Sequence, residues 1–578
     1  MRGSRAEERP GRNEPPGQRQ RDSISSRSAA DLRPRQNRRG PRHRLRREEA
    51  PLYIGNRWHQ HPDRAAFVMA GSGETVTYAE LEARSNRFAH LLRAEGLKRL
   101  DHYAVFMENN SRYLETNAAG ERSGLYYTCI NSFLTAEELA YIVDNSESQV
   151  LVTSIAKWPV ARAALAHCPR LRLCLVVDGG DEVRAAREAG DIGTARVADY
   201  AEAVAPFPTT PIADEWLGAA MLYSSGTTGR PKGILRPLPE NPPSQPLALF
   251  EFLFRLWQAE EGMRYLSPAP LYHSAPQANV GVALRFGGTV VIMEHFEPEA
   301  YLALVERHRI THTQLVPTMF ARMLKLPEAA RRRHDLRSLK IAVHAAAPCP
   351  VPVKERMIEW WGPIIHEYYG ATEGLGFTAC DTPQWLAHRG TVGKVLLGDL
   401  HVLDAQRQPL PKGQPGELWF KTASPFTYFN DPERTAATRS ADGTMTTVGD
   451  VGYLDDDGYL YLTDRSTFMI ISGGVNIYPQ ECENLLITHP QVADAAVFGV
   501  PNEDLGEEVK AVVQPLPGVA ADLAFEQALI AFCREHLAPM KCPRSVDFTE
   551  QLPRLPTGKL YKKALRDTYW AGHASRIV

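Results

Sequence analysis

The chain has 578 residues, of which 43% are hydrophobic and 23% are charged. These proportions are typical of a globular protein, and the length exceeds what one hydrophobic core supports, so we expect at least two domains. The eight cysteines are scattered and form no Cys-x-x-Cys pair. That pattern excludes a disulfide framework and a zinc cluster and favours a reducing compartment, the cytoplasm. Because no apolar run approaches ~20 residues, stable membrane insertion is not expected.

The first fifty residues differ in kind from the rest. They contain fifteen arginines, seven acidic residues and no lysine, for a net charge of +8, which leaves −10 on the remainder of a chain whose total is −2. Because almost none of them is apolar, residues 1–48 are predicted to form a disordered tail. Acidic residues and prolines argue against a mitochondrial transit peptide, and a secretory signal requires an apolar centre. We expect a dispensable tail, with nucleic-acid binding as the less favoured alternative.

The folded sequence that follows alternates helix and strand patterns. Thr77 and Glu80 have the spacing of a capping box, and apolar residues such as Phe88 then recur at helical intervals. Residues 103–107 and 150–153 have the composition of buried strands. Such alternation favours α/β layers with mostly parallel strands.

Later parts of the chain complete the expected fold. Residues 287–293 and 313–317 are typical of strands, with a helix between them around 299–308. A hairpin-rich region over 416–463 predicts a second, antiparallel sheet. Residues 492–537 have the pattern of a compact α+β unit. We therefore expect an α/β fold, with a large multi-layer N-terminal domain of mixed β-sheets and helices and a small, mobile α+β C-terminal domain.

One stretch, Tyr223–Gly233, concentrates groups that bind phosphate. It follows the short apolar run 219–222, which we interpret as a strand that enters a loop. Glycines let backbone N–H groups converge on an anion, four hydroxyls add donors, and Lys232 adds a positive charge. The spacing is not that of a Walker P-loop. The alternative to a phosphate loop is a flexible surface turn.

In this order, the residues resemble the phosphate loop of the adenylate-forming superfamily, which contains acyl- and aryl-CoA ligases, peptide-synthetase adenylation domains and beetle luciferases. Further motifs of that family follow in its order and at about its spacing: Tyr369–Gly374, Val448–Leu454, Asp464–Arg465, Ser472–Pro479 and Pro556–Leu560. The resemblance implies an adenylation domain over residues 49–465 and a mobile C-terminal domain over residues 466–578, which carries the catalytic lysine.

The resemblance also implies the site. The residues that it assigns to nucleotide binding are Ser224, Ser225, Gly226, Thr227, Thr228, Gly229, Lys232, Ala346, Ala347, Pro348, Glu367, Tyr368, Tyr369, Gly370, Thr372, Asp450 and Arg465. The residues that it assigns to catalysis are Lys559, His273 and Glu373. Thr372 and Glu373 carry hard oxygens that suit Mg²⁺. Ser472, Gly473 and Gly474 are expected to contact the pantetheine arm of CoA.

The chain departs from the pattern of the family at three places, which involve four residues. Ala345 and Ala346 stand where relatives usually carry Gly-Gly or Gly-Ala, in a loop expected to pack on adenine and to border the acyl pocket, so added methyl groups would narrow that pocket. Val448 replaces a threonine that usually precedes the Gly-Asp pair. Thr467 replaces the aspartate or lysine that commonly marks the hinge between the domains.

The implied function is that of an ATP-dependent carboxylic acid–CoA ligase, which forms acyl-AMP and pyrophosphate and then acyl-CoA and AMP, with ATP, Mg²⁺ and CoA. We favour a medium- to long-chain fatty acid as substrate, because the apolar stretch Leu247–Trp257 suits an acyl tunnel. An aryl-acid CoA ligase, an acyl-AMP ligase that loads a carrier protein, and a luciferase-like oxidoreductase remain as alternatives. The presence of every expected charged residue argues against a degenerate binding protein. A homodimer is left open.

Overall fold

The computed structural model describes residues 53–189, 195–224, 230–245, 248–421, 426–465, 468–472, 475–502, 504–554 and 560–571. The tail expected over residues 1–48 lies outside the described residues.

Strands of the large domain form four sheets within the described residues. They are β1 (Ala65–Met69), β2 (Thr75–Thr77), β3 (His102–Phe106), β4 (Tyr126–Cys129), β5 (Val150–Ser154), β6 (Leu173–Val177), β7 (Arg196–Asp199), β8 (Ala219–Ala220), β9 (Leu222–Ser224), β10 (Lys232–Leu235), β11 (Arg264–Ser267), β12 (Thr289–Ile292), β13 (His312–Leu315), β14 (Ile341–His344), β15 (Ile365–Gly370), β16 (Phe377–Cys380), β17 (Lys394–Leu397), β18 (Asp399–Leu403), β19 (Gly416–Lys421), β20 (Thr427–Tyr428), β21 (Met445–Leu454) and β22 (Leu460–Arg465).

Helices of the large domain cover and connect these sheets. They are α1 (Ile54–Gln60), α2 (Tyr78–Ala94), α3 (Tyr113–Arg122), α4 (Ala136–Asn145), α5 (Trp158–Leu165), α6 (Gly180–Ala189), α7 (Tyr200–Val204), α8 (Ala248–Trp257), α9 (Ser274–Arg285), α10 (Pro298–His308), α11 (Pro317–Leu324), α12 (Glu328–Arg333), α13 (Val351–Trp361), α14 (Thr382–Ala387) and α15 (Pro432–Ala437).

The helix pattern that begins at Thr77 is confirmed. The Thr77 side chain accepts a hydrogen bond from the backbone N–H of Glu80, and the Glu80 carboxylate accepts one from the backbone N–H of Thr77. This reciprocal capping box satisfies two backbone donors at the start of α2. Phe88 on the inner face of α2 packs edge-on against Tyr103 of β3, with ring centroids 5.7 Å apart. Local capping and burial of one face therefore act together to form α2.

Two mostly parallel sheets share the main core. One has nine strands in the order β17-β16-β15-β14-β13-β11-β12-β1-β2, and the other has six in the order β7-β6-β5-β3-β4-β8. The six-stranded sheet is parallel throughout, whereas the nine-stranded sheet is parallel at its centre and antiparallel at both edges. A single apolar cluster, which includes Phe67, Phe88, Tyr103 and Phe286, joins the two sheets through the helices between them. The expected α/β layering is confirmed.

The strand expected over residues 219–222 is instead two strands. Residues Ala219–Ala220 pair with β4 in the parallel sheet, and residues Leu222–Ser224 pair with β10 in a small antiparallel sheet. Met221, which is fully buried, lies at the crossover. An apolar run of small residues does not reveal which sheet each half joins, because that depends on partners distant in sequence.

A small C-terminal domain follows β22. Its elements are β23 (Ile470–Ser472), β24 (Val475–Ile477), α16 (Gln480–Thr488), β25 (Val492–Asn502), β26 (Gly506–Pro515), α17 (Leu523–His536), β27 (Ser545–Phe548) and α18 (Lys562–Tyr569). One face of its sheet packs on α16 and α17 around Val497 and Leu529. The other face packs on α18 around Phe498 and Leu552. The domain thus has a hydrophobic core of its own. Among the helices that the structure describes, none is long and apolar enough to cross a membrane.

Buried histidines should make the fold sensitive to acid. His312 on β13 is almost fully buried, and burial lowers its pKa to about 4 because the cation is poorly solvated there. In the unfolded chain a histidine titrates near ~6.5, so protons bind the unfolded state first and stability is lost as the pH falls from about 6.5 to about 4. At the acid end of that window, protonation linked to His312 lowers the free energy of unfolding by up to about 3 kcal/mol.

We therefore expect the unfolding free energy of His312→Gln to fall less steeply than that of the wild type between pH 7 and pH 4.5. Urea unfolding at several pH values measures both slopes. His295→Gln, at an exposed position, serves as the matched control and should keep the wild-type slope. Equal slopes in the His312 variant and the wild type would contradict the prediction.

Candidate active site

A hairpin forms the base of the predicted phosphate loop. Strands β9 and β10 pair antiparallel, with Ser224 directly opposite Lys232. The Tyr223 ring lies against Gly233, where a Cβ atom would come within 2.9 Å of the ring, and its hydroxyl donates to Asn145 Oδ1 at 2.6 Å. These contacts fix both ends of the loop. The predicted phosphate ligands Ser225, Gly226, Thr227, Thr228 and Gly229 lie outside the described residues.

Lys232 is linked to Glu373 through an aromatic ring. The Lys232 ammonium lies 4.7 Å from the centroid of the Tyr428 ring. The Tyr428 hydroxyl donates to Glu373 Oε1 at 3.0 Å, in a buried position. Strand β20, which carries Tyr428, pairs with β10, so the sheet itself brings these groups together. Lys232 and Glu373 are distant in sequence but contact the same tyrosine, Lys232 at its ring and Glu373 at its hydroxyl.

A second basic residue belongs to the same cluster. Arg236 lies against Gly374, which has a φ of +73° and leaves room for the guanidinium. Burial lowers the pKa of Arg236, and the Glu373 carboxylate opposes that shift. Thr372, half-buried, precedes Glu373. Sequence reasoning missed Tyr428 and Arg236, because neither lies in a recognisable motif.

Three further residues that the resemblance assigns to nucleotide binding also meet. The Tyr369 hydroxyl donates to Asp450 Oδ2 at 2.7 Å, and Asp450 on β21 stands opposite Arg465 on β22 in the antiparallel register. The side chain of Arg465 lies outside the described part of the structure. The tyrosine thus orients the carboxylate that is expected to accept the ribose hydroxyls.

A cavity of about 920 Å³ lies beside these groups, between the large and small domains. That volume suits a nucleotide with an acyl group. The predicted site residues that line it are Ala346, Ala347, Pro348, Glu367, Tyr368, Tyr369, Gly370 and Asp450. The predicted site residues that do not line it are Ser224, Lys232, His273, Thr372, Glu373 and Ser472.

His273 is the prediction that geometry supports least. It stands at the N-cap position of α9 without a capping hydrogen bond from its side chain, and its ring packs on Tyr272 with centroids 4.3 Å apart. It does not line the large cavity. His273 therefore stands at the start of a helix, and its assignment to catalysis stays a prediction.

The small domain contacts the large one beside the cavity. Lys325, which directly follows α11, donates through Nζ to the backbone carbonyls of Val492 at 2.7 Å and Ala493 at 3.2 Å. The next residue, Asp494, forms an ion pair with Arg554. Arg554 also pairs as an isolated bridge with Leu560, and both residues line the cavity.

The segment between Arg554 and Leu560 contains the predicted catalytic lysine. Lys559 itself lies outside the described residues, but its chain neighbour Leu560 is on the cavity wall. Ser472, by contrast, lines a separate cavity of about 300 Å³ on the small domain, together with Met540 and Arg544. Gly473 and Gly474 lie outside the described residues. Arg554 and Leu560, at the ends of the lysine segment, therefore lie at a different cavity from Ser472, which is predicted to contact CoA.

Ala346 has a backbone conformation that alanine rarely adopts. Its φ is +77°, in the left-handed region, and it lies on the cavity wall. Glycine would adopt this conformation without the steric clash of a Cβ atom, which costs about 1–2 kcal/mol. Strain of this kind is retained most often at functional sites.

Ala346→Gly is therefore predicted to stabilise the fold by up to about 1 kcal/mol, because the relief of strain exceeds the added entropy of the unfolded chain. Ala345→Gly is the matched control: Ala345 is buried and has no positive φ, so that change should destabilise by about 0.5–1 kcal/mol or more. Urea unfolding measures both. Destabilisation of equal size in the two variants would contradict the assignment of strain.

Comparison with known proteins identifies the family. Residues 55–428 match the sequence profile of the AMP-binding enzyme family, and residues 481–559 match that of the AMP-binding enzyme C-terminal domain. Feruloyl-CoA synthase of an Amycolatopsis species is 33% identical over 505 residues, which cover 87% of this chain and 95% of the relative. The 3-[(3aS,4S,7aS)-7a-methyl-1,5-dioxo-octahydro-1H-inden-4-yl]propanoyl:CoA ligase of Rhodococcus jostii is 33% identical over 514 residues, 86% of this chain and 95% of the relative.

Solved structures agree with the sequence relatives. ATP-bound MatB from Rhodopseudomonas palustris has a TM-score of 0.72 and 26% identity, and the match covers 90% of this chain and 99% of that one. The o-succinylbenzoate CoA synthetase of Bacillus subtilis, in complex with its acyl-adenylate intermediate, has a TM-score of 0.71 and 25% identity over 90% of this chain and 98% of its own.

The chain belongs to the AMP-binding enzyme family, in the acyl-CoA ligase branch of the adenylate-forming superfamily. It is accordingly an acid–thiol ligase with ATP-dependent acyl-CoA ligase activity, and its cofactors are ATP, Mg²⁺ and CoA.

Proposed function

We propose that the acid substrate is a medium- to long-chain fatty acid, activated as an acyl-adenylate in the 920 Å³ cavity and then transferred to CoA. The observation that supports this choice is the position of α8. Its Phe252 packs against Tyr368 on the cavity wall, with ring centroids 6.3 Å apart, and against Phe377 at 4.7 Å. An apolar helix directly behind the wall would give an acyl chain apolar surface to contact away from the nucleotide.

An aryl acid is the second candidate, because the same ring cluster of Phe252, Tyr368 and Phe377 suits a flat substrate. One relative named above is a feruloyl-CoA synthase. Loading of a carrier protein is a third option: a fatty acid–acyl-carrier-protein ligase of Streptomyces coeruleorubidus is 30% identical over 538 residues.

The charges near the phosphate loop fit the metal. Tyr428 holds Oε1 of Glu373, so Oε2 is the hard oxygen that remains for a cation. Within the described residues no cage of three or more histidine, cysteine or acidic side chains exists, which suits Mg²⁺ bound by one carboxylate and substrate phosphates. Bound there, Mg²⁺ would neutralise charge on the triphosphate.

The other groups have roles that follow from their chemistry. Lys232 and Arg236 provide positive charge on the phosphate side, and Tyr369 orients Asp450 towards the ribose. Lys559, whose chain neighbour Leu560 is on the cavity wall, would bridge the substrate carboxylate and the α-phosphate, which brings two anions together. We place the domain boundary at residue 465, with residues 466–578 as a mobile unit that withdraws Lys559 and presents the Ser472 face for thioester formation.

We also propose that the enzyme works in the cytoplasm, independent of nucleic acid. Each of its cysteines is a free thiol, including Cys482 and Cys533, whose sulfur atoms lie 3.9 Å apart. Such a pair stays reduced in a reducing compartment.

The test is pyrophosphate release in the presence of an acid, with CoA consumption followed in parallel. We expect release to depend on the acid and CoA to be consumed, with kcat/KM highest for alkyl acids of medium to long chain in a series that includes cinnamate-type acids. A clear preference for the aromatic acids would overturn the fatty-acid assignment. Pyrophosphate release without CoA turnover would point instead to a carrier protein as acceptor.

A further inference from the structure

A buried ion pair lies at the wall of the large cavity. Lys354 on α13 donates through Nζ to Glu367 Oε2 at 2.5 Å, and both side chains are almost completely buried. The Lys354 ammonium also lies 4.7 Å from the centroid of the Trp385 ring. Glu367 on β15 lines the cavity, whereas Lys354 does not. Lys354 can therefore act on a ligand only through Glu367.

The surroundings leave Lys354 as the cation of this pair. His344, on the neighbouring strand β14, stands opposite Glu367, and its Nε2 lies 3.4 Å from the same Oε2. Burial and the Lys354 charge hold the pKa of His344 well below its usual range, so this histidine is neutral. Burial raises the pKa of Glu367, and the Lys354 charge opposes that rise. Without Lys354 the Glu367 carboxylate would be buried without a counter-charge.

Stability alone does not explain this pair. Desolvation of two charges offsets much of their attraction, and apolar side chains of similar volume often stabilise a fold as well or better. Both contacts described above are made by Oε2, so Oε1 remains as an acceptor for a group inside the cavity. Ala346, Ala347 and Tyr369 line the same cavity and add two methyl groups and an aromatic ring to its wall. A purine base with a donor on its edge fits such a wall.

We propose that Lys354 is a positioning residue: it holds Glu367, which the resemblance assigns to nucleotide binding, as a hydrogen-bond acceptor for the exocyclic amino group of adenine. The inference rests on the proposed nucleotide site in this cavity. A 6-oxo purine would present a carbonyl oxygen where adenine presents an amino group, and two acceptors would face each other. Charge-assisted hydrogen bonds are strong enough for discrimination of roughly 10- to 100-fold between ATP and ITP.

The test compares the Kd values of ATP and ITP, by calorimetric titration of the full chain, in the wild type and in Lys354→Met. We expect the wild type to prefer ATP by roughly 10- to 100-fold and the variant to lose most of that preference through weaker ATP binding. Lys354→Arg should retain it. Because binding is measured without turnover, failure of the proposed reaction would leave this test intact. A folded Lys354→Met protein with the wild-type ATP:ITP ratio would overturn the proposal.

A double variant separates recognition from folding. Lys354→Met alone leaves a buried carboxylate without its partner and should lower the melting temperature, whereas Lys354→Met/Glu367→Met removes both charges and should recover much of it. We expect the double variant to bind ATP and ITP alike, although its stability is restored. If the double variant still prefers ATP as strongly as the wild type, Glu367 does not recognise the adenine base and the proposal is wrong.

Discussion

Lys559→Ala is expected to slow acyl-adenylate formation by roughly 10²–10³-fold, the loss that follows removal of one preorganised electrostatic group. The same variant should convert supplied acyl-adenylate and CoA to thioester at nearly the wild-type rate. The physical reason is the position of its segment: Arg554 and Leu560, on either side of it, both line the cavity, whereas Ser472 lies at another. Single-turnover assays of each half-reaction measure the two rates.

Lys563→Ala is the control for this experiment. Lys563 is a surface residue on α18 that pairs with Asp567, and its loss should leave both half-reactions unchanged. A bulky residue at Gly473 or Gly474 should have the opposite effect to Lys559→Ala, with adenylation spared and thioester formation slowed. Equal slowing of both half-reactions by Lys559→Ala would mean that the lysine does not act in adenylation alone.

Glu373→Gln is expected to reduce acid-dependent pyrophosphate release by roughly 10²–10³-fold at a fixed Mg²⁺ concentration. The amide can still accept the Tyr428 hydrogen bond, so the fold should persist while the charge on the metal ligand is lost. The measurement is pyrophosphate release against Mg²⁺ concentration, in which the variant should need more Mg²⁺ for its residual activity.

Two variants control for the substitution itself. Glu433→Gln changes an exposed acid of α15 and should be silent. Tyr428→Phe removes the hydrogen bond to Glu373 but keeps the carboxylate, so its loss should be roughly tenfold. If Glu373→Gln has the same Mg²⁺ dependence as the wild type, Glu373 is not a ligand of the metal.

Much of the scaffold could be predicted because its signals are local. Thr77 and Glu80 form a capping box at the start of α2, and Thr135 and Glu138 form one at the start of α4. The turn before Gly458 follows from its sequence, and Gly458 has a φ of +80° there. Capping and turn chemistry depend on a few neighbouring residues, so the sequence is sufficient to predict them.

What could not be predicted depends on partners that are distant in the chain. Tyr428 joins Lys232 to Glu373 only because β20 pairs with β10. The Lys354–Glu367 pair could not be predicted from the sequence, because a lysine in a helix of polar and apolar residues is usually solvated. The left-handed backbone conformation of Ala346 could not be predicted either, because alanine is not a residue typical of turns.

The central claim, that this chain joins a carboxylic acid to CoA through an acyl-adenylate, is tested most directly by isotope transfer. The acid is supplied with both carboxylate oxygens labelled with ¹⁸O, and the AMP, pyrophosphate and thioester are analysed by mass spectrometry. The account predicts one ¹⁸O atom in the AMP phosphate and one in the thioester carbonyl, with none in pyrophosphate. Unlabelled AMP, or label in inorganic phosphate, would contradict it.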